Sequence, residues 1–288
     1  LIILLLQFQY CCSYFYLLWP LIWYNDFIKI ESEKVMKTYS IYISKLFIGR
    51  TEEVEKIKSA LNYLGYKESN EPDLVIVIGG DGSLLHAIRD YDYSGNFLLI
   101  NAGTLGHYAE YEIDEIDLFI DDIKSGNMSF EKHRAIELID DKQVWYAVND
   151  IMIGSAIKTL HIEVRINGKM LFITPASGIL LSTPFGSSGY AHSLGGSLMT
   201  GDSGYELNML APLHNAKYHS FISSLILNDE DILDVNIHNT RLFEIACDMN
   251  TCKSKSLSFK IKKSSKEFNL VHLKPFDEYS RLKKSFAN

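Results

Sequence analysis

A carboxylate stands among glycines in the segment Val75-Ile-Val-Ile-Gly79-Gly80-Asp81-Gly82-Ser83. The apolar, mostly β-branched residues 75–78 predict a buried strand, and the residues after Ser83 predict a short amphipathic helix. A strand, a glycine turn and a helix start direct backbone N–H groups toward an anion, usually a phosphate. Asp81 repels phosphate unless a metal lies between them or the carboxylate accepts a proton. The segment therefore predicts a phosphoryl-transfer site.

The glycine turn fits neither of the common nucleotide-binding patterns. It lacks the lysine and the Ser/Thr of a Walker A loop, and its glycines do not follow the G-x-G-x-x-G spacing. Considered in isolation, the turn could also be a tight connection without a chemical role.

Three further segments have the composition of ligand-binding loops, and they are NAGTLG (residues 101–106), Asn149-Asp150 and STPFGSSGYAHSLGG (residues 182–196). The first follows a predicted strand, and neighbouring parallel strands would bring its loop to the same sheet edge as the Asp81 turn. Asn149 could bond an adenine or amide edge in both directions, and Asp150 could accept from ribose hydroxyls. The third exposes backbone and hydroxyl donors before a helix. The alternatives are a strand-end turn for Asn149-Asp150 and a flexible surface loop for the third segment, although an apolar strand at residues 179–181 anchors that loop.

In this order and spacing, GGDG, NAGTLG, VND and STPFGSSGYAHSLGG resemble the NAD kinase family, from Met36 to near the C-terminus. The GGDG turn is shared with diacylglycerol-type lipid kinases and phosphofructokinases, whereas the STPxGS-x-x-Y segment followed by LGG discriminates between these families. The chain looks most like the compact enzymes of low-GC bacteria. The resemblance implies phosphoryl transfer from ATP, or from polyphosphate in some members, to the 2′-hydroxyl of the adenosine ribose of NAD, giving NADP.

The resemblance also implies roles for individual residues. Asp81 matches the catalytic aspartate, which accepts the hydroxyl proton or orders the metal. Gly79, Gly80 and Gly82 match the phosphate and ATP-binding turn. The residues that match NAD-binding positions are Asp81, Gly82, His107, Asn149, Asp150, Ser188, Gly189, Tyr190, Ser193, Ala211 and Tyr218. Ala211 and Tyr218 match positions that a neighbouring subunit offers, which implies a homodimer or homotetramer. No side chain is assigned as a metal ligand; Mg²⁺ or another divalent cation would bind the substrate phosphates, with Asp81 as the alternative ligand.

Three positions depart from the family pattern. Asp150 stands where the family usually has Glu, Ser177 replaces an acidic residue before Gly178, and His107 replaces a Phe near the adenine. Because the Asp81 turn is intact, we expect activity with a weaker affinity for NAD. His133, His161 and His238 occupy strand positions with polar neighbours, and we predict them at the surface.

The predicted elements divide the chain into two halves. Strands at residues 40–44, 74–78 and 97–100 alternate with helices at residues 51–65 and 114–124, which predicts a parallel sheet covered by helices. After residue 128, predicted strands at residues 142–153, 161–167, 232–237, 242–246, 257–261 and 268–273 indicate antiparallel β-structure, with a hairpin turn at Asn167-Gly168 and helices at residues 187–194 and 277–286.

The fold class is therefore an α/β, Rossmann-like N-terminal domain followed by a β-rich, antiparallel, sandwich-like C-terminal domain. The expected domains are residues 36–127, to which a tail at about residues 274–288 returns, and residues 128–273. The length of 288 residues suits two domains.

Composition narrows the class of partner. The net charge of −8 argues against non-specific nucleic-acid binding. Four cysteines without a matching histidine or cysteine set exclude a zinc motif and suit a reducing, cytoplasmic setting.

The first 24 residues are uncharged and long enough to cross a bilayer. They lack the basic region of a signal peptide, and Pro20 makes them a poor helix. We expect residues 1–35 to be a non-native or dispensable extension, with a membrane anchor as the alternative. If residues 1–35 are such an extension, we do not expect the protein to associate with a membrane.

Two other functions remain open from the sequence. A lipid kinase would share the glycine-aspartate turn, and the uncharged N-terminus would suit a membrane substrate. A non-catalytic NAD(P)-binding sensor would explain Asp150 and Ser177.

Overall fold

The computed structural model describes residues 36–47, 49, 51–103 and 106–287. The predicted extension over residues 1–35 lies outside them. The chain from Thr38 onward forms one compact unit. None of the helices in the described residues is both long enough and apolar enough to span a membrane.

The N-terminal part alternates strands with helices, as predicted. Its elements are β1 (Thr38–Ile43), α1 (Thr51–Tyr63), β2 (Lys67–Glu68), β3 (Leu74–Gly79), α2 (Asp81–Asp90), β4 (Gly95–Asn101), β5 (Tyr111–Glu112) and α3 (Ile116–Ser125). Helix α3 buries Ile116, Phe119, Ile120 and Ile123 on one face, and it ends at Gly126, whose φ of 74° places this residue in the left-handed region that favours glycine.

The C-terminal part consists mainly of strands. Its elements are β6 (Ser129–Ile139), β7 (Val144–Ala147), β8 (Asp150–Gly154), β9 (Leu160–Ile166), β10 (Lys169–Ala176), β11 (Gly178–Ser182), a 3₁₀ turn (Phe185–Ser188), α4 (Tyr190–Ser193), β12 (Tyr205–Leu210), β13 (Leu225–Leu227), β14 (Leu233–Ile237), β15 (Glu244–Cys247), β16 (Asn250–Cys252), β17 (Ser258–His272) and α5 (Glu278–Phe286). Helix α5 begins after Asp277, whose carboxylate accepts from the N–H of Tyr279.

The strands form two sheets. An 11-stranded sheet runs in the order β10-β9-β14-β17-β4-β3-β1-β2, with β5, β6 and β7 attached, and a 6-stranded sheet runs in the order β13-β12-β11-β8-β15-β16. Strands β1, β3 and β4 pair in parallel, whereas the pairs of the smaller sheet are antiparallel. A shared core packs β6, β9, β14 and β17 of the large sheet against β8, β11, β12 and β15 of the small one. The predicted α/β and sandwich-like β-rich halves are both confirmed.

Strand β17 joins the two halves. It pairs in parallel with β4 and antiparallel with β6 and β14. The prediction of separate strands at residues 257–261 and 268–273 was wrong, because a register shift between Lys263 and Glu267 bends one strand without ending it. The boundary between residues 127 and 128 remains a prediction, and it falls between α3 and β6.

Two other predicted elements differ from the structure, and one long strand was not predicted. Residues 142–153 form two strands, β7 and β8, interrupted at Val148 and Asn149. Residues 187–194 form the end of a 3₁₀ turn and the single turn of α4, which meet at Gly189. Strand β6 was not predicted, since its charged residues mask the alternation of its buried ones. The first two differences concern loops of the candidate site, where the side chains of Asp248 and Thr183 bond to the backbone.

Candidate active site

The carboxyl ends of β3 and β4 form one edge of the large sheet. Gly79 pairs with Asn101, where both strands end, and the N–H of Ala102 donates to the carbonyl of Gly79 at 3.1 Å. The prediction that the two loops share an edge is confirmed. Gly79 itself is a buried strand residue, so the turn beyond it supplies the accessible backbone.

Asp81 is the first residue of α2, and it follows Gly80 in an extended conformation. Its two carboxylate oxygens accept from the N–H groups of His107 at 2.9 Å and Tyr108 at 3.1 Å. The N–H groups of Ser83 and Leu84 already bond to the carbonyl of Gly80. The first two amides of α2 precede any helical bond and are available to an anion.

Gly82 leaves open space above this helix start. A Cβ added there would meet only the methyl group of Met249, at 3.6 Å. Gly80 and Gly82 are partly buried. Gly82 therefore leaves room for at least one further carbon atom at the start of this helix.

Tyr108 connects the Asp81 turn to the segment at residues 182–196. Its ring stacks on Phe185, with centroids 3.9 Å apart and an interplanar angle of 3°, and its hydroxyl donates to the carbonyl of Phe185. Burial raises the pKa of the Tyr108 hydroxyl above its usual range, so the ring acts as a neutral packing group.

The Thr183 loop is built directly on Asn149. The carbonyl of Asn149 accepts from the N–H of Thr183 at 2.9 Å and from the hydroxyl of Ser182 at 3.2 Å. The Thr183 hydroxyl donates to the carbonyl of Val148. A Cβ at Gly186 would overlap the Asn149 carbonyl, so glycine permits this close approach. The predicted loop is fixed by these contacts, and the alternative of a flexible surface loop is not what the structure shows.

Asn149 and Asp150 present side chains that are incompletely satisfied. The Oδ1 atom of Asn149 is buried and has no hydrogen-bond partner among the described residues, and its Nδ2 atom lies 3.9 Å from the position of a Cβ on Gly189. Asp150 is partly buried, and burial together with the nearby Asp248 carboxylate raises its pKa to about 7. A buried acceptor without a partner costs free energy unless a ligand satisfies it.

His107 lies in a small, solvent-open pocket that is also lined by Tyr108, Phe185, Ser188, Glu278 and Arg281. Its ring is half-buried, approaches the Tyr108 ring edge-on at 4.7 Å, and bonds through Nδ1 to the Ser285 hydroxyl at 2.7 Å. Burial and the Arg281 charge lower the pKa of His107. The side chain therefore bonds to the protein's own C-terminal helix.

The remaining predicted residues fall into two groups. Ser188, Gly189, Tyr190 and Ser193 lie at or just beyond the 3₁₀ turn next to Asn149, and Tyr190 is 46% exposed. Ala211 and Tyr218 lie beyond β12; Ala211 has a φ of 45°, and Tyr218 contacts His161 and bonds to Asn215. Ser177 is exposed between β10 and β11. Among the described residues, no contact joins Ala211 or Tyr218 to the Asp81 turn.

Two features of the site were not predicted from the sequence. Asp248 accepts hydrogen bonds from the amides of Val148, Asn149 and Asp150. Arg281 of α5 forms two hydrogen bonds with Glu131, at 2.8 and 2.7 Å, and lies 5.1 Å from the Tyr108 ring. No local sequence pattern identifies Asp248 or Arg281, because each side chain bonds to a segment that is far away in the sequence.

The prediction that His133 lies at the surface was wrong. It is 2% exposed, and its ring packs 4.9 Å from Phe185 and 5.5 Å from Phe268. Its Nε2 atom lies 3.2 Å from Glu131. Its neighbour Lys132 faces solvent, whereas His133 points to the opposite, buried face of the strand, among these aromatic rings. His161 is partly buried and His238 is exposed.

The described residues contain no group of three His, Cys, Asp or Glu side chains that could hold a metal ion. Both oxygens of Asp81 bond to amides, although a carboxylate oxygen has a second lone pair. These residues fit a metal ion bound mainly through ligand phosphates.

Comparison with known proteins matches both halves of the chain to family models. The ATP-NAD kinase N-terminal domain matches residues 33–128, and the ATP-NAD kinase C-terminal domain matches residues 149–273. The NAD kinase of Natranaerobius thermophilus is 28% identical over 222 residues, 73% of this chain and 76% of that protein. The NAD kinase of Finegoldia magna is 33% identical over 184 residues, 59% of this chain and 67% of that protein.

Solved structures show the same fold. An NAD kinase from Archaeoglobus fulgidus in complex with ATP has a TM-score of 0.69 and 18% identity, covering 86% of this chain and 98% of that one. A yeast NADH kinase complexed with NADH has a TM-score of 0.75 and 16% identity, covering 89% of each chain. None of these similarities favours a lipid kinase or a non-catalytic sensor.

Proposed function

The chain belongs to the NAD kinase family, and we propose that it transfers a phosphoryl group from ATP to the 2′-hydroxyl of the adenosine ribose of NAD, giving NADP. The turn at residues 79–82 would face the phosphates, and the Asn149 region would hold the acceptor nucleotide. Polyphosphate is a second candidate donor.

The unpartnered Asn149 oxygen carries this proposal. It is buried next to a glycine-rich loop and has no hydrogen-bond partner in the described part of the chain. An adenine offers an amino group as donor and ring nitrogens as acceptors, which match the two ends of an amide. We therefore assign Asn149 to the base of NAD, and Ser188, Gly189, Tyr190 and Ser193 to the surface around that base and its ribose.

Asp150 is proposed to accept from the ribose hydroxyls. Its pKa of about 7 means that a ligand hydroxyl would bind to a carboxylate that is ionised in part at neutral pH. Asp lacks one methylene of Glu, and Ser177 supplies no charge, so we retain the expectation of a weaker affinity for NAD.

Asp81 is proposed to accept the proton of the 2′-hydroxyl as the oxygen attacks the γ-phosphorus, the bond to the β–γ bridging oxygen breaks and ADP leaves. The free amides at the start of α2 would then stabilise the charge on the transferred group. A divalent cation, when bound to the phosphates, supplies charge neutralisation, with Asp81 as the nearest carboxylate of the turn. Two amides already orient Asp81, so its oxygens need little reorganisation when the proton arrives.

We also propose a cytoplasmic homo-oligomer, with Ala211 and Tyr218 facing a neighbouring subunit's site. The segment that follows β12 supports this proposal, since it exposes the apolar side chains of Leu213 (48%), Phe221 (39%) and Ile222 (81%).

The test is an end-point assay of the purified chain with NAD, NADH and a diacylglycerol as acceptors, each with ATP and with polyphosphate in the presence of Mg²⁺. We expect NADP from NAD and ATP. Formation of a phospholipid, or binding of NAD without turnover, would contradict the proposal.

A further inference from the structure

Asp248 lies in the turn of the β15–β16 hairpin, with a φ of 53°. Its carboxylate accepts from the N–H groups of Val148 at 2.9 Å, Asn149 at 2.7 Å and Asp150 at 3.2 Å. Its own N–H donates to the carbonyl of Asp150 at 2.8 Å. One side chain thus binds three successive amides, which we call the amide clasp.

The clasp lies where the chain would otherwise leave backbone groups unsatisfied. Strands β7 and β8 are interrupted at Val148 and Asn149, so these amides lack a strand partner of their own. The carbonyls of the same two residues are bound from the opposite side by Thr183. Since buried backbone groups need partners, the two sets of bonds together fix the turn.

The same hairpin also reaches the helix that carries Asp81. Asn250 accepts from the Arg89 guanidinium at 2.7 Å, and Arg89 belongs to α2. The Met249 methyl group lies over Gly82, 3.6 Å from the position of an added Cβ. Asp248 therefore lies between two turns. It bonds directly to the Asn149 turn, and its neighbour in the sequence, Met249, lies beside the Asp81 turn.

We propose that Asp248 is a positioning residue for the acceptor nucleotide, because its amide clasp holds Asn149 and Asp150 at a fixed distance from the Asp81 turn. This inference rests on the proposed function. Asp248 would act through these two residues, so its loss should weaken NAD binding more than ATP binding.

The charge of Asp248 provides a second way to test the amide clasp, through its effect on the pKa of Asp150. Burial raises the pKa of Asp248, and its three amide bonds oppose that rise. In turn, the charge of Asp248 contributes to the raised pKa of Asp150. The other titratable or charged groups that face this carboxylate are Arg89, Tyr93, Cys247 and Cys252.

The experiment compares steady-state kinetics of wild type, Asp248→Asn and a matched control, Asp140→Asn. Asp140 accepts from two loop amides, of Lys142 at 2.7 Å and Gln143 at 2.9 Å, in a hairpin outside the site. For Asp248→Asn we expect the KM for NAD to rise about tenfold or more, with the KM for ATP within about twofold. The control should leave both constants unchanged.

The pH dependence of the KM for NAD separates positioning from folding. In wild type this KM should fall as pH rises through about 7, where Asp150 ionises. In Asp248→Asn the midpoint should move about one unit lower, because the neighbouring negative charge is gone. An equal rise of both KM values, or an unchanged NAD constant and midpoint, would overturn the inference.

Two further results keep the test decisive. If Asp248→Asn does not reach the wild-type circular dichroism spectrum, Asp248→Glu replaces it; this variant keeps the charge and displaces the oxygens, and the inference again requires a selective rise in the KM for NAD. If wild type itself forms no NADP, the proposed function fails. A wild type that forms NADP while Asp248→Asn behaves like the control contradicts the inference alone.

Discussion

Asp81 and Asp248 both accept hydrogen bonds from consecutive backbone amides, but the regions around them are constructed differently. Asp81 opens a helix next to glycines, with free amides and open space above Gly82. Asp248 binds a turn that is also bonded from behind by Thr183 and pressed against Gly186. The Asp81 region leaves backbone amides free for a ligand, whereas the backbone of the Asn149 region is bonded on two sides.

This difference predicts how each region responds to change. In the Asp81 region few internal contacts depend on the glycine turn, so substitutions should alter catalysis more than stability. In the Asn149 region backbone and side chains hold one another, so substitutions should alter stability and NAD affinity.

The largest effect is expected for Asp81→Asn. The amide keeps the size of the side chain but cannot accept the hydroxyl proton, so kcat should fall about 10²- to 10⁴-fold. Initial rates of NADP formation at saturating NAD and ATP measure this loss. A kcat within about threefold of wild type would exclude Asp81 as the proton acceptor.

A pair of alanine substitutions compares the two regions sterically. Gly186→Ala places a Cβ onto the Asn149 carbonyl and should lower the free energy of unfolding by about 3 kcal/mol. Gly82→Ala meets only the Met249 methyl group and sits in a helix, so its Tm should stay near that of wild type while activity falls.

Thermal unfolding followed by circular dichroism gives both Tm values, with the NADP assay run on the same samples. Equal losses of Tm in Gly186→Ala and Gly82→Ala would contradict the contrast between a braced and an open region.

A smaller effect is expected from the pH dependence of stability. The pKa of Asp150 in the folded protein, about 7, lies above its ordinary value of 3.8. Such a group gives its full stabilisation below pH 3.8, and that contribution is lost as pH rises through about 7. Asp150→Asn removes the titration, so at pH 8 the variant should be more stable than wild type by about 1–2 kcal/mol.

Urea unfolding of both proteins at pH 5 and pH 8 measures this difference. The advantage of Asp150→Asn should be larger at pH 8 than at pH 5. An advantage that does not depend on pH would show that Asp150 is not the titrating group.

The two regions also differ in how far the sequence predicts them. The Asp81 turn combines a buried strand, glycines and a helix start within 16 residues. Local sequence patterns therefore locate the turn and predict the strand and the helix on either side of it. Asp248 contacts residues 98–100 positions away, and no local pattern pairs them. The long strand β17 and the burial of His133 were missed for the same reason, because packing partners far along the chain decide both.

The division of the site is tested most directly by calorimetric titration of NAD, without ATP, into Asp81→Asn and Asn149→Ala. If chemistry belongs to the Asp81 region and acceptor binding to the Asn149 region, Asp81→Asn should bind NAD within about fivefold of wild type, while Asn149→Ala should bind at least about tenfold more weakly. Loss of NAD binding in Asp81→Asn with wild-type affinity in Asn149→Ala would contradict the account.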